Sequence, residues 1–167
     1  VLQIMMTRIS EMTGVDFNGI ERPYVPPKTL RIAEKLKLHR DWVADIDPVT
    51  YEVVRHNLWQ INEEHGATIQ RLSGSPVAMY ALDLNPSILN EDAEFVYFGP
   101  YMQYMSGVTD TQVKWTMEFR SDNPGISEGD MFIANDPWVG AAHQQDVMLL
   151  CPVFWEDELF CWVTNCL

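Results

Sequence analysis

Gly129-Asp130-Met131-Phe132-Ile133-Ala134-Asn135-Asp136-Pro137-Trp138-Val139-Gly140-Ala141-Ala142-His143-Gln144-Gln145-Asp146-Val147 is the stretch in which a strand, a tight turn, small residues and a run of potential ligands converge. Met131 to Ala134 reads as a short apolar strand. Asn135-Asp136-Pro137 stops it, since Asn and Asp bond their own backbone in turns, while Pro fixes φ and brings no N–H. Gly140-Ala141-Ala142 then lets backbone or a ligand come close, because no large side chain fills the space. His143 and Asp146 follow three apart, just before the apolar run Val147 to Leu150. A nitrogen donor and a carboxylate at the mouth of a buried strand can hold a divalent cation. The spacing alone is weak. Its ordinary alternative is a surface turn in which Asp136 caps a bend and His143 is a satisfied polar residue.

Working outward, Val147 to Phe154 and Leu159 to Asn165 form an expected hairpin about Glu156-Asp157-Glu158. Upstream, Ser121-Asp122-Asn123-Pro124-Gly125 is a turn. A helix capped by Thr109 or Asp110 precedes it, running through Phe119 with Val113, Thr116 and Met117 facing inward. Tyr97 to Gly107 is rich in aromatics and Met. Its default reading is core under a loop, and its sharper one is the wall of a small apolar pocket formed by Tyr97, Tyr101 and Tyr104. Asp92 to Phe98 and Val77 to Leu84 read as strands, with a turn at Asn85-Pro86-Ser87. Ser73-Gly74-Ser75-Pro76 ends a helix that starts at Asp47-Pro48, where Asp47 is the N-cap and Pro48 the first helical residue. His56 and His65 lie about half a turn apart around that helix, so they cannot share a site. Thr29 to Trp42 reads as a short amphipathic helix with Leu30, Ala33 and Leu36 on one side. Residues 1 to 27, with Pro23, Pro26 and Pro27, form an extended arm that wraps a neighbour or hangs free. The expected class is α+β: an N-terminal helical segment followed by a mixed β-rich part.

Composition excludes several function classes. The 167 residues carry a net charge of −13 with only 11 Lys and Arg, which disfavours nucleic acid as a partner. No window is long and apolar enough to span a membrane, and the N-terminus lacks a signal-peptide layout. Cys151, Cys161 and Cys166 are an odd number with no C-x-x-C, as expected of buried free thiols in a reducing cytoplasm. No Gly-rich phosphate loop, nucleophile elbow or internal repeat is present. Val1 at one end, and the core-like strand Leu159 to Leu167 with no polar tail at the other, lead to the expectation of an N-terminal fragment.

The central stretch resembles the hydantoinase B/oxoprolinase motif: Gly129-Asp130, Asn135-Asp136-Pro137, Gly140 and then His143-x-x-Asp146. Ala141 departs from the second Gly usual there. Asp47-Pro48-Val49-Thr50-Tyr51-Glu52-Val53 is similar to the family's opening, so the resemblance runs from about Asp47 to Leu167. It divides the chain into an arm and short helix, 1–46, and the first part of a hydantoinase B-like domain, 47–167. The arm and the Tyr97 to Met105 segment look closer to the large α subunits of the acetone carboxylases within that family.

That resemblance implies a cytoplasmic heteromeric ligase that joins acetone and bicarbonate to acetoacetate. ATP and Mg²⁺ would act at a partner subunit, with β and γ subunits as partners. His143 and Asp146 would be ligands of a divalent metal, Mn²⁺ in those carboxylases, and a further His ligand would follow Leu167. The chain alone would then be inactive. Asp136 would orient His143 from behind it or ligate directly. The alternatives are an ATP-dependent hydrolase of a cyclic amide, of hydantoin or 5-oxoproline type, and a non-catalytic assembly segment.

Overall fold

The computed structural model describes residues 23–43 and 45–167, with the backbone alone for Met105 and Ser106. Most of the N-terminal arm therefore lies outside the described residues. The architecture is α+β, as expected: two long helices and one five-stranded antiparallel sheet. Helix α1 spans Pro48–Leu72 and α2 spans Gln103–Arg120. The strands are β1 Asn85–Asn90, β2 Phe95–Phe98, β3 Phe132–Ala134, β4 Met148–Trp155 and β5 Glu158–Cys166, in the order β2-β1-β5-β4-β3.

Helix α1 begins where its capping chemistry requires. The Asp47 carboxylate accepts from the backbone N–H groups of Val49 and Thr50 at 3.1 and 3.0 Å, and Pro48 occupies the first turn. A hydrogen bond from the Thr50 side chain, together with these backbone bonds, holds the Asp47 carboxyl below its usual range. At the other end the Ser73 N–H closes on the Ile69 carbonyl. Only Asn62 and Gly66 of α1 are buried, while Val49, Val53, Trp59 and Ile61 stay exposed.

The core lies between α2 and the sheet. Val113 and Met117 from α2 meet Leu89, Met148, Leu150, Leu159, Trp162 and Cys166. Fully burying a Leu or Met side chain contributes about 1.5–3 kcal/mol, so this cluster is the main store of stability. Thr116 is buried as well and satisfies its hydroxyl on the Gln112 carbonyl at 2.9 Å. The β4–β5 hairpin turns at Glu156 and Asp157, both at positive φ.

Four expectations need correction. Residues 29–42 are not a helix. They form an irregular segment with a turn at Glu34 and Lys35, Leu38 bridging Leu159 in parallel and Leu36 in the core. Short helices are marginal without tertiary support, and here the tertiary bonds favour another path. The Ala33 N–H goes to Ser121 Oγ, Arg31 reaches Glu118, and His39 N–H meets the Leu159 carbonyl.

Val77–Ala81 is a π-helical turn rather than a strand, ending in left-handed Leu82. Its Met79 carbonyl takes the Gln70 amide and its Met79 N–H the Ser75 carbonyl. Asn85-Pro86-Ser87 does not turn but opens β1, with Pro86 beside Asn165 of β5. The turn is at Asn90, whose side-chain oxygen accepts from the N–H groups of Asp92 and Glu94. Finally, α2 starts two turns earlier than Thr109, without a side-chain cap, and Asp110 pairs instead with Lys114 at 2.8 Å.

Two of the closely approached glycines meet obstacles of different kinds. A methyl on Gly66 would meet the Tyr101 ring, with its Cζ and hydroxyl at 2.9 Å. At Gly140, φ is +133° and a methyl would lie 2.7 Å from the Val108 carbonyl of α2. A ring can swing aside, whereas a helix backbone cannot. Gly66→Ala is therefore expected to cost about 1 kcal/mol and Gly140→Ala at least about 2 kcal/mol in urea unfolding of the protein. Equal costs would contradict this reading of the two contacts.

Candidate metal site

The turn after β3 is built by its own side chains. Asp136 Oδ1 accepts from the Trp138 N–H at 2.9 Å, and the Asp136 carbonyl accepts from the N–H groups of Val139 and Ala141. Asn135 Nδ2 donates to the Gln144 carbonyl at 2.8 Å and closes the loop nine residues on. The Tyr24 N–H caps the Trp138 carbonyl at 2.6 Å from the extended N-terminal segment, which here lies on its own chain. Gly140 brings this loop against α2, where no side chain could pass.

The loop delivers His143 and Asp146 together. His143 Nε2 lies 3.3 Å from Asp146 Oδ1, and the Asp146 N–H bonds the His143 carbonyl at 3.2 Å. The His143 side chain is 54 % exposed and that of Asp146 only 5 %. Asp146 immediately precedes the point where the Val147 and Leu167 backbones exchange two hydrogen bonds, at 2.8 and 3.0 Å. The carboxylate is thus seated on the sheet, while the imidazole points to solvent from the loop.

A cleft of about 510 Å³ opens over this pair, lined also by Ser73, Ser75, Ala78, Asp83 and Leu167. Asp83 is a member that the sequence reading missed. The left-handed Leu82 swings it toward Asp146 after the π-helical turn. A short polar residue after an apolar run was its only signal. Burial pushes the Cys166 thiol up to about 12, with the Asp146 and Asp83 charges adding to the rise. The Tyr104 hydroxyl is raised by burial and by the same two carboxylates. This end of the sheet is therefore electronegative.

The donor set fits part of a metal shell. Adjacent ligands at bond lengths of about 2.0–2.3 Å stand about 3.0–3.4 Å apart, and the His143–Asp146 separation is 3.3 Å. Among the described residues no group of three or more His, Cys, Asp or Glu could hold a metal ion. In a metal shell the pair would supply at most two positions, with other donors filling the rest.

The other sequence-derived candidates are dispersed. Asp136 lines a different cleft, between β3 and α2. Tyr101 packs on Gly66 of α1, with its hydroxyl raised by burial. Tyr97 sits in β2 opposite Ile88, and only Tyr104 feels the Asp146 charge.

Among known proteins, the hydantoinase B/oxoprolinase family model matches residues 47–167. 5-Oxoprolinase 1 of Arabidopsis thaliana is 28% identical over 123 residues, 74% of this chain and 9% of its own length. The acetone carboxylase alpha subunit of Xanthobacter autotrophicus is 24% identical over 141 residues, 84% of this chain and 17% of its own. The crystal structure of the ATP-dependent caprolactamase from Pseudomonas jessenii aligns with a TM-score of 0.65 at 28% identity, covering 72% of this chain and 21% of that one. The nucleotide-free acetone carboxylase structure aligns at 0.63 and 22% identity, covering 70% and 16%, a likeness of fold alone. The chain thus spans about a fifth or less of the length of the relatives just described. No described helix is long and apolar enough to cross a membrane. With its family model matched over nearly three quarters of its length, the chain belongs to the hydantoinase B/oxoprolinase family.

Proposed function

We propose that this chain is the metal-holding part of the α subunit of an ATP-dependent carboxylase that joins acetone and bicarbonate to acetoacetate. The observation that carries it is the His143–Asp146 pair, 3.3 Å apart at the mouth of a cleft. A divalent cation there, Mn²⁺ in this reading, would supply Lewis-acid stabilisation of negative charge on the substrate oxygen.

The chain's own residues set the conditions for it. Asp146 is buried with the His143 ring 3.3 Å away, and a buried carboxylate is stabilised by a nearby cation. Asp83 adds a second negative charge along the cleft, which favours a cation and disfavours a free anion. His143 presents its ring from the half-exposed side, and Asp146 fixes the direction in which Nε2 points. Burial and the Asp146 and Asp83 charges raise the Tyr104 hydroxyl above its ordinary range, so Tyr104 adds no negative charge of its own to the cleft's surroundings. Asp136, occupied by the Trp138 N–H, would influence the pair through the loop that it ties.

In this proposal residues 1–46 are an arm and 47–167 the beginning of the larger domain. ATP and Mg²⁺ act at a partner subunit, the β and γ subunits complete the complex, and the cytoplasm is its compartment. Support for the carboxylase comes from the extent of the match. Alignment with the acetone carboxylase subunit covers 84% of the chain, against 74% for the oxoprolinase. A second reading, ATP-dependent hydrolysis of a cyclic amide, is favoured by the higher identity and TM-score of the caprolactamase.

Fixation of labelled bicarbonate by the complete enzyme, dependent on acetone and ATP, is expected under the first reading. Ring opening of an amide without bicarbonate would establish the second instead. His143→Ala and Asp146→Asn are each expected to lower metal content and to cut turnover more than 100-fold. Loss of a group behind a ligand already costs about 10–100-fold. Full metal occupancy with near-normal turnover in both variants would remove the pair from the site. Cys166, with its thiol near 12, is expected to resist iodoacetamide in the native protein at pH 8 and to react only after unfolding, since the thiolate is the nucleophile. Rapid native alkylation, located by mass spectrometry, would contradict that.

A further inference from the structure

The sheet ends at β3, and among the described residues nothing pairs with the outer edge of that strand. Met131 and Ile133 are exposed there at 65 % and 72 %. An open edge flanked by exposed apolar side chains is a template for another strand, and proteins cover such edges. Beside it, between β3 and α2, lies a second cleft of about 240 Å³ that shares no lining residue with the His143–Asp146 cleft. Trp115, Phe132 and Val139 wall it, and Arg120 stands over the Trp115 ring at 4.8 Å.

The described part of the N-terminal segment starts at this cleft. The Tyr24 N–H bonds the Trp138 carbonyl at 2.6 Å, and the Tyr24 hydroxyl donates to Glu118 Oε2 at 2.8 Å. Its ring meets Phe119 edge-on at 6.0 Å, and Phe119 meets Trp115 at 5.2 Å. A row of three rings thus leads from Tyr24 to the cleft wall. Upstream of Pro23 the sequence is Val15-Asp16-Phe17-Asn18-Gly19-Ile20-Glu21-Arg22. Val15 and Phe17 alternate with Asp16, which suits a strand with one apolar side. Asn18-Gly19 is a tight-turn pair that lets the chain reverse before Pro23. Eight residues reach about 26 Å, and pairing with the three residues of β3 needs only about 10 Å. Glu21 brings a carboxylate for Arg120. Tethered at Tyr24, the segment meets the edge at an effective concentration on the order of mM, ahead of any free peptide or second copy. We propose that residues 15–22 of this chain dock at this edge, with Val15-Asp16-Phe17 added to β3 as a sixth strand and the Phe17 ring filling the cleft. The docking is independent of the metal pair and of the reaction assigned there.

Two measurements on the complete protein test it. In hydrogen exchange read by mass spectrometry, the peptide covering Phe132 to Ala134 is expected to exchange about tenfold faster in Phe17→Asp than in the unmodified protein. Leu2→Asp, outside the docked stretch, should leave that rate within about twofold. The peptide from Glu158 to Cys166 reports whether each variant keeps its fold. Should Phe17→Asp fail that control, Phe17→Ala decides, with exchange about threefold faster. In the second measurement, Phe17→p-benzoylphenylalanine is irradiated in a mixture of isotope-labelled and unlabelled protein. Crosslinks to Trp115, Phe132 or Val139 within one isotopic copy are expected. Unchanged exchange in the folded Phe17 variants would overturn the proposal, as would crosslinks elsewhere or none at all. Crosslinks at this edge that join labelled to unlabelled copies would place a second copy's segment there and overturn it too.

Discussion

Strand β5 sits between β1 and β4, pairing with β4 from Glu158 to Cys166 and with β1 from Cys161 to Cys166. Leu159, Trp162 and Cys166 project from it into the core, and Leu159 also supplies the backbone on which the extended residues around Leu38 rest. A one-residue slip of β5 would turn these side chains to the other face and unpair both neighbours at once. Its last residues hold Val147 through paired backbone bonds, so the register of this strand also sets where Asp146 stands. Stability and site geometry therefore depend on the same ladder.

From that ladder Asp146 and His143 inherit different mechanical properties. Asp146 is fixed by sheet hydrogen bonds and burial. His143 is held by a loop whose shape comes from Asn135, Asp136 and the close contact at Gly140. A fixed carboxylate thus stands beside a more exposed and more adjustable imidazole. The second cleft lies on the far side of the same loop, where Asp136 rather than His143 faces it. One short connection thus serves two separate cavities.

How much of this was legible depended on whether the deciding interactions were local. The start of α1 was readable because Asp47 and Pro48 act within one turn. The β4–β5 hairpin was readable because two apolar runs flank an acidic turn. The path of residues 29–42 was not, since its bonds go to Ser121, Glu118 and Leu159, all far away in the chain. Val77–Ala81 was misread because a short apolar run does not distinguish strand from helical turn. Asn85-Pro86-Ser87 carried turn residues into a strand whose neighbours supply the pairing. His143 and Asp146 stood out by the longer motif that they complete, whereas Asp83 joins them only through the left-handed backbone at Leu82. The three tyrosines looked like one wall in sequence, yet the helix start at Gln103 and the ring of Tyr101 on Gly66 send them to different surroundings.

The bond from Asn135 Nδ2 to the Gln144 carbonyl closes the base of the loop like a clasp. Between the two ends, the solvent-facing residues Pro137, Trp138 and Ala142 can then differ without transmitting a shift to β3 or β4, provided Val139 and Ala141 stay buried and Gly140 keeps its place against α2. The loop is therefore a mosaic of tolerant and intolerant positions within one short span. For protein engineering, substitutions are absorbed locally at the three exposed positions, whereas the three between them are bound to the core and to α2.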